Sequence, residues 1–254
     1  MIGRILVVGF ALAAIATPAG GQNLTLSPSV IELKGRVGQT TTQTLTITNA
    51  TSLDLSFELE ASDVVVEDGK RLFVRAGDTA GGIAETAVFA PRRLLLPAGQ
   101  IRAVTITLTL PEGASNRAIV ALFRGTTTIP DGATGATASV GTLMTFALSD
   151  HVSLAPAAPL VVTPQSTTHN AAFEQVLVND GTEPIVPRGI AVILNAAGAI
   201  VGKALFDSPR ALPGERVTVR SEYAGELAPG TYRILATFEC EGKSLTQAAA
   251  LVVR

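Results

Sequence analysis

Apolar side chains recur at every second position along most of this chain, and no stretch keeps a 3.6-residue period for three turns. Such a pattern builds strands with one inward face. Thr44-Leu45-Thr46-Ile47-Thr48 alternates cleanly, and Leu55, Phe57 and Leu59 repeat the pattern after a polar turn. Val104, Ile106, Leu108 and Leu110 alternate with Thr105, Thr107 and Thr109; β-branched threonine suits the solvated side of a sheet. Residues 119–123 are short and continuously apolar, as in a strand inside a sandwich. Val64-Val65-Val66 and Leu72-Phe73-Val74 flank Glu67-Asp68-Gly69-Lys70, an Asp-Gly hairpin signal. Many short strands with turn signals between them predict an all-β fold of immunoglobulin-like sandwich type.

Two sandwiches in tandem are expected, because the pattern repeats. Each half has an alternating strand ending in Asn (Asn49, Asn179) and, later, a Leu-Pro corner, Leu96-Pro97-Ala98-Gly99 or Leu212-Pro213-Gly214. Residues 126–141, rich in Gly, Ala and Thr, read as a long loop. Ala155-Pro156-Ala157-Ala158-Pro159 reads as the linker, since proline donates nothing to a ladder. The expected division is a segment of residues 1–21, a first sandwich over 22–155 and a second over 156–254. In the second, strands are centred on residues 176–178, 190–194, 200–205, 217–219, 231–238 and 248–253.

The opening segment reads as a secretory signal. Arg4 precedes an apolar run of about 11 residues, shorter than the roughly 20 needed to span a bilayer, and Thr17-Pro18-Ala19-Gly20-Gly21 supplies small residues for cleavage. Later stretches of that length all carry charges or turn residues, so a periplasmic protein without a membrane span is expected. Charge is sparse at 16% and nearly balanced at a net −2, which gives no basic face for nucleic acid. Trp is absent, which disfavours an aromatic sugar-binding platform.

No set of residues points to catalysis. Cys240 is the single cysteine, so an intrachain disulfide is excluded, and it reads as a small buried hydrophobe. His151 and His169 lack zinc-ligand spacing. Asp63, Glu67 and Asp68 fall short of a calcium loop. No nucleophile elbow, P-loop or dinucleotide fingerprint is present. Neither an enzyme nor a cofactor or metal site is expected. Met144, Phe146 and Leu148 lie two apart and share one face. From the pattern alone that face serves either a partner or the sandwich's own core.

The first half resembles the N-terminal domain of PapD-like periplasmic pilus chaperones. The resemblance is carried by Leu24-Thr25-Leu26-Ser27-Pro28-Ser29-Val30-Ile31, Leu45-Thr46-Ile47-Thr48-Asn49, Phe89-Ala90-Pro91-Arg92-Arg93-Leu94-Leu95-Leu96-Pro97-Ala98-Gly99 and Met144-Thr145-Phe146-Ala147-Leu148-Ser149. It implies a chaperone-like protein that binds subunits of a pilus or surface structure by lending them a strand. It also implies that Met144, Phe146 and Leu148 are the donor face, so that Phe146→Asp abolishes partner binding and leaves stability nearly unchanged. The family's Arg and Lys that grip a subunit carboxylate are not matched: Ser29-Val30 and His151-Val152-Ser153 stand there instead. Arg92 and Arg93 read as solvated strand residues. The competing expectation is a structural or adhesive module of a cell-surface assembly.

Overall fold

A computed structural model describes residues 24–128 and 134–254, with the side chains of 128 and 134–138 outside the description. The expected signal segment lies outside the described residues. Two sandwiches are present, each of two sheets closing on its own core. The first contains β1 (Leu24–Ser27), β2 (Val30–Lys34), β3 (Thr40–Asn49), β4 (Leu55–Glu67), β5 (Lys70–Arg75), β6 (Val88–Ala90), β7 (Arg93–Leu96), β8 (Ile101–Thr109), β9 (Ala118–Thr128) and β10 (Thr134–Ala147). Its sheets run β1-β3-β8-β6 and β2-β10-β9-β4-β5, with β7 also on β4. The second contains β11 (Ala155–Pro156), β12 (Val161–Thr163), β13 (Ala171–Val178), β14 (Arg188–Leu194), β15 (Ile200–Leu205), β16 (Arg216–Tyr223), β17 (Gly230–Cys240) and β18 (Lys243–Val253). There β11, β12 and β16 pair with β13, and the facing sheet runs β15-β14-β17-β18.

The alternation sets which residues are inside. Leu45, Ile47, Val104, Ile106 and Leu108 are fully buried, while Thr40 and Thr42 meet Thr109 and Thr107 on the outer face through hydroxyl contacts of 2.8 and 2.9 Å. Phe57 and Phe123 meet edge to face at the centre, the arrangement that aromatic quadrupoles favour. The Asp68-Gly69 tip has both residues at positive φ (51° and 78°), as a two-residue hairpin turn requires, with Glu67 opposite Lys70.

The two repeated asparagines explain the repeated corners. Asn49 is fully buried, and its Nδ2 donates to the carbonyls of Leu53 (2.8 Å), Leu96 (3.0 Å) and Pro97 (3.2 Å). Asn179, also fully buried, donates to the carbonyls of Glu183 (2.8 Å) and Ala211 (3.0 Å). Backbone bonds close each corner: Gly99 N–H to the Asn49 carbonyl at 2.8 Å and Gly214 N–H to the Asn179 carbonyl at 2.7 Å. A carboxamide is short enough to enter the turn and carries enough donors to satisfy carbonyls that no ladder reaches.

Three expectations are corrected. Residues 126–141 are mostly strand, because β9 continues through Thr128 and β10 starts at Thr134, paired from Thr137 opposite Thr126 onward. Threonine and Val140 there supply strand propensity once β9 offers a ladder. Ala155-Pro156 is not a linker but pairs with Val178 and Leu177 of β13; proline is tolerated because it begins an edge strand. The chain crosses between sandwiches earlier, between Leu148, packed on the first core, and Val152, buried in the second.

The third correction concerns Met144, Phe146 and Leu148. Met144 and Phe146 are 0% and 1% exposed in the first core, and Leu148 packs half-buried against it. Here β10 has a neighbour on each side, β2 in parallel and β9 antiparallel. The face expected to serve a partner is the sandwich's own interior. Phe146→Ala is therefore expected to cost about 3–5 kcal/mol of stability, read from urea denaturation, whereas a surface residue would lose almost none.

Candidate partner-binding edge and the junction between the sandwiches

What remains open on β10 lies upstream of the enclosed face. β2 pairs only with Leu143 to Ala147, whereas β9 pairs with β10 from Thr134 to Thr145. Over residues 134–142, β9 is thus the only strand that pairs with β10 among the described residues. In an antiparallel ladder alternate residues direct their N–H and C=O away from the neighbour, so this segment presents unpaired main-chain groups at a sheet edge. The residues are Thr134-Gly135-Ala136-Thr137-Ala138-Ser139-Val140-Gly141-Thr142, with no charge and no proline to keep the edge from pairing; a register shift lies between Thr134 and Thr137, and the pairing with β9 is regular from there on. Thr142 marks its lower end by donating its hydroxyl to the Pro28 carbonyl at 2.7 Å.

Beside this edge lies a groove of about 800 Å³ on the outer face of the sheet, floored by Phe73, Val120 and Leu122 and bordered by Glu60, Arg75 and Arg124. Phe73 is 69% exposed. Gly141 is needed there: a Cβ at that position would lie 2.8 Å from Val120 Cγ2. The groove runs toward the second sandwich, whose corner residue Leu212 is buried against Val64 and Ala118, with Val66, Val120 and Leu143 packed around them.

Three arginines hold the junction, and each has a carboxylate of the same chain. Arg71 donates Nε and Nη2 to Glu215 at 2.7 and 3.0 Å and Nη2 to the Arg210 carbonyl at 2.5 Å. Glu215 also accepts from Leu212 N–H at 2.8 Å. Arg117 donates Nε to Glu183 at 3.2 Å, and Glu183, 1% exposed, accepts from Leu148 N–H at 2.9 Å and Ser149 Oγ at 2.7 Å. Arg210 pairs with Glu32; burial pulls its guanidinium below its ordinary pKa, and its Nε is buried without a partner. At the hairpin tip, Arg216 N–H donates to the Gly69 carbonyl at 3.0 Å, and a Cβ on Gly69 would sit 2.9 Å from Arg216 Cγ. Sequence reasoning missed these pairs because their members are 66 to 178 residues apart.

The other candidates take structural places. Asp63 is buried and accepts from Ile83 N–H (2.7 Å), Ala84 N–H (3.3 Å) and Asn116 Nδ2 (2.6 Å), pinning the short 3-10 turn Ala84–Thr86. Cys240 is 5% exposed; burial first, then the charge of Glu241, pushes its thiol above the ordinary value. His151 is exposed, and its carbonyl accepts from Thr182 N–H. His169 Nδ1 contacts Ser166 Oγ. Arg93 lies on the surface 3.7 Å from Glu58. Val30 is a 42%-exposed edge residue. Among the described residues no three His, Cys, Asp or Glu side chains group to hold a metal ion, and no helix is long and apolar enough to cross a membrane.

Glu183 joins Arg117, the backbone just past β10 and the Ser149 hydroxyl in one buried carboxylate. Glu183→Ala is expected to lower the unfolding free energy by about 3–5 kcal/mol, because Arg117 and Leu148 N–H would be left buried and unpaired. Glu183→Gln keeps an acceptor for Leu148 and is expected to lose less. Equal losses in denaturant unfolding would show that the charge is not what connects the sandwiches.

No protein-family model matches the sequence, and no curated protein matches it. Solved structures similar to this chain include fimbrial chaperones. The class 5 fimbriae chaperone CfaA is similar at 14% identity and a TM-score of 0.45, covering 89% of this chain and 98% of that one. The E. coli chaperone DraB is similar at 14% identity and a TM-score of 0.40, covering 90% and 98%. A structure of the Salmonella enterica SafA pilin with the SafB chaperone gives 12% identity and a TM-score of 0.41, covering 90% and 96%.

Proposed function

We propose that this chain is a periplasmic, chaperone-like binding protein that holds an extended segment of a partner subunit by strand addition. The observation that carries the reading is the half-covered β10: β2 stops at Leu143, and the nine residues before it offer an uncharged edge. An incoming strand would continue the sheet β2-β10-β9-β4-β5 by pairing with residues 134–142. Main-chain hydrogen bonds would hold it irrespective of sequence, and apolar side chains dropping against the sheet would select it. The Phe73, Val120 and Leu122 groove supplies such a surface next to the edge. The resemblance of the first half to pilus chaperones gives the partner class, subunits of a pilus or surface structure.

Carboxylate capture is not part of this proposal. The arginines at the junction are already paired with Glu32, Glu183 and Glu215. That same observation favours the second reading, a structural or adhesive module, in which the edge joins copies or neighbours within a surface assembly.

Neighbouring prolines separate the roles of the edge. Of Ser139→Pro and Val140→Pro, one removes a donor to β9 and the other a donor to the open side, since alternate N–H groups point opposite ways. The open-side variant is expected to keep its unfolding midpoint and to lose recovery of subunits that accompany the tagged wild type in periplasmic extract. The β9-side variant should unfold earlier. Unchanged recovery with both variants would sink the strand-addition reading, and finding the wild type in the cell-surface fraction would favour the structural module.

A further inference from the structure

The outer face of the β15-β14-β17-β18 sheet is largely apolar, with a charged row, Arg188–Glu239–Ser244, at one end. Registered rows across its four strands read Leu205–Ile190–Thr237–Thr246, Lys203–Val192–Leu235–Ala248 and Ile200–Leu194–Arg233–Ala250, with Thr231–Val252 beyond. Leu205 is 76% exposed, Ile200 59% and Val252 51%. Two other sheets of this chain build their solvated faces from polar residues. On the β3–β8 pair the outer rows are Thr40–Thr109, Thr42–Thr107 and Thr44–Thr105. On β13–β16 they include Glu174 opposite Arg220, joined at 2.9 Å. An antiparallel sheet with one solvated face ordinarily alternates apolar-in and polar-out, so a contiguous apolar outer face points to a partner surface.

We infer that this face packs on its own copy, forming a homodimer by face-to-face stacking of two four-stranded sheets. The argument is self-complementary shape. β15 carries the protrusions, Ile200 and Leu205, at one side of the sheet. β18 carries small residues, Ala248 and Ala250, at the other side, where a shallow hollow of about 620 Å³ opens over Leu194, Thr231, Arg233 and residues 248–250. A two-fold axis parallel to the strands, between β14 and β17, lays β15 of one copy over β18 of the other. Ile200 then enters the hollow at Ala250, and the symmetry fills both hollows at once.

Charge agrees with that arrangement, and area sets its strength. Lys203 and Arg233 are the charged residues of the three full rows. Under this axis Lys203 lies over Ala248 at the rim, Arg233 over the aliphatic Leu194, and Arg188 over Glu239 of the next row, so like charges do not meet. Four strands spaced by about 4.8 Å give a face roughly 20 Å on a side, and stacked sheets sit about 10 Å apart. That face covers about 400 Å², roughly half of the 800 Å² per partner of a standard interface, which fits a weak, concentration-dependent dimer. The inference concerns the second sandwich alone and leaves the β10 edge free.

Sedimentation velocity of the exported full-length chain tests it. The wild type is expected to reach twice the chain mass as concentration rises. Ile200→Lys and Ala250→Glu, both at exposed positions, are each expected to weaken self-association by about tenfold or more, because each buries an unpaired charge. Combining them in one chain sets the two charges opposite each other across the axis and should recover much of the loss. Unchanged melting by circular dichroism would show that the fold is intact. A wild type that stays monomeric at the highest concentration reached, or a dimer insensitive to both substitutions, would overturn the inference. So would a monomer that floats with phosphatidylglycerol vesicles, which would make lipid the cover. The β10 proline variants should self-associate like the wild type, so failure here is distinct from failure of strand addition.

Discussion

The first sandwich depends on a strand that changes sheets. β1 pairs with β3, and two residues later β2 pairs with β10 in the opposite sheet. Pro28 stands at the crossing, where a ladder donor is not needed. A short strand serving two sheets can cover neither fully. β1 closes four residues of β3 and β2 closes five of β10, so both sheets are tied together while β10 keeps an uncovered upstream half. The open edge is thus a consequence of how the N-terminal strand is divided. Its lower limit is fixed by Leu143 N–H bonding to the Ser29 carbonyl at 3.0 Å.

The buried carboxamides and carboxylates act on a different scale. Asn49 and Asn179 organise each corner within its own sandwich, whereas Glu183 and Glu215 reach from the second sandwich to groups of the first. Glu183 and Glu215 lie on either side of the Ile185–Ala211 bridge and the Leu212 corner, so one compact region of the second sandwich makes both ionic contacts. Removing one member of such a pair strands the other in low dielectric. The apolar contact of Leu212 with Val64 and Ala118 belongs to the same junction.

Much of this was legible in the sequence, and the failures have physical causes. Strand positions follow from period two: the expected cores Leu45, Ile47, Leu55, Phe57 and Leu59 are all buried. The Asp68-Gly69 tip was legible because a two-residue turn demands left-handed φ. The face of Met144, Phe146 and Leu148 was not, because alternation says that one face is apolar and does not say which body covers it. That answer needed the parallel pairing with β2, a contact spanning more than a hundred residues. Residues 126–141 were misread since Gly, Ala and Thr signal a loop only when no neighbouring strand offers a ladder, and β9 offers one. The carboxylate partners Glu183 and Glu215 carry no local signature at all. Their neighbours in sequence resemble any solvated turn.

The internal pairing of the arginines constrains how anything else can be held. A charged anchor at the junction would have to displace Glu183, Glu215 or Glu32 from Arg117, Arg71 or Arg210, and two of those carboxylates also hold backbone N–H groups. Displacement would leave those donors and the carboxylate unsatisfied, a cost that a new ion pair does not recover in a buried site. The free surfaces are of another kind: an uncharged ribbon of backbone on β10, the Phe73 groove, and the apolar face of β15-β14-β17-β18. Recognition built on these uses main-chain hydrogen bonds and apolar burial, which are weakly screened by salt. The chain therefore divides its chemistry by place. Charge fixes the two sandwiches to each other, while strand edge and hydrocarbon are exposed away from that junction.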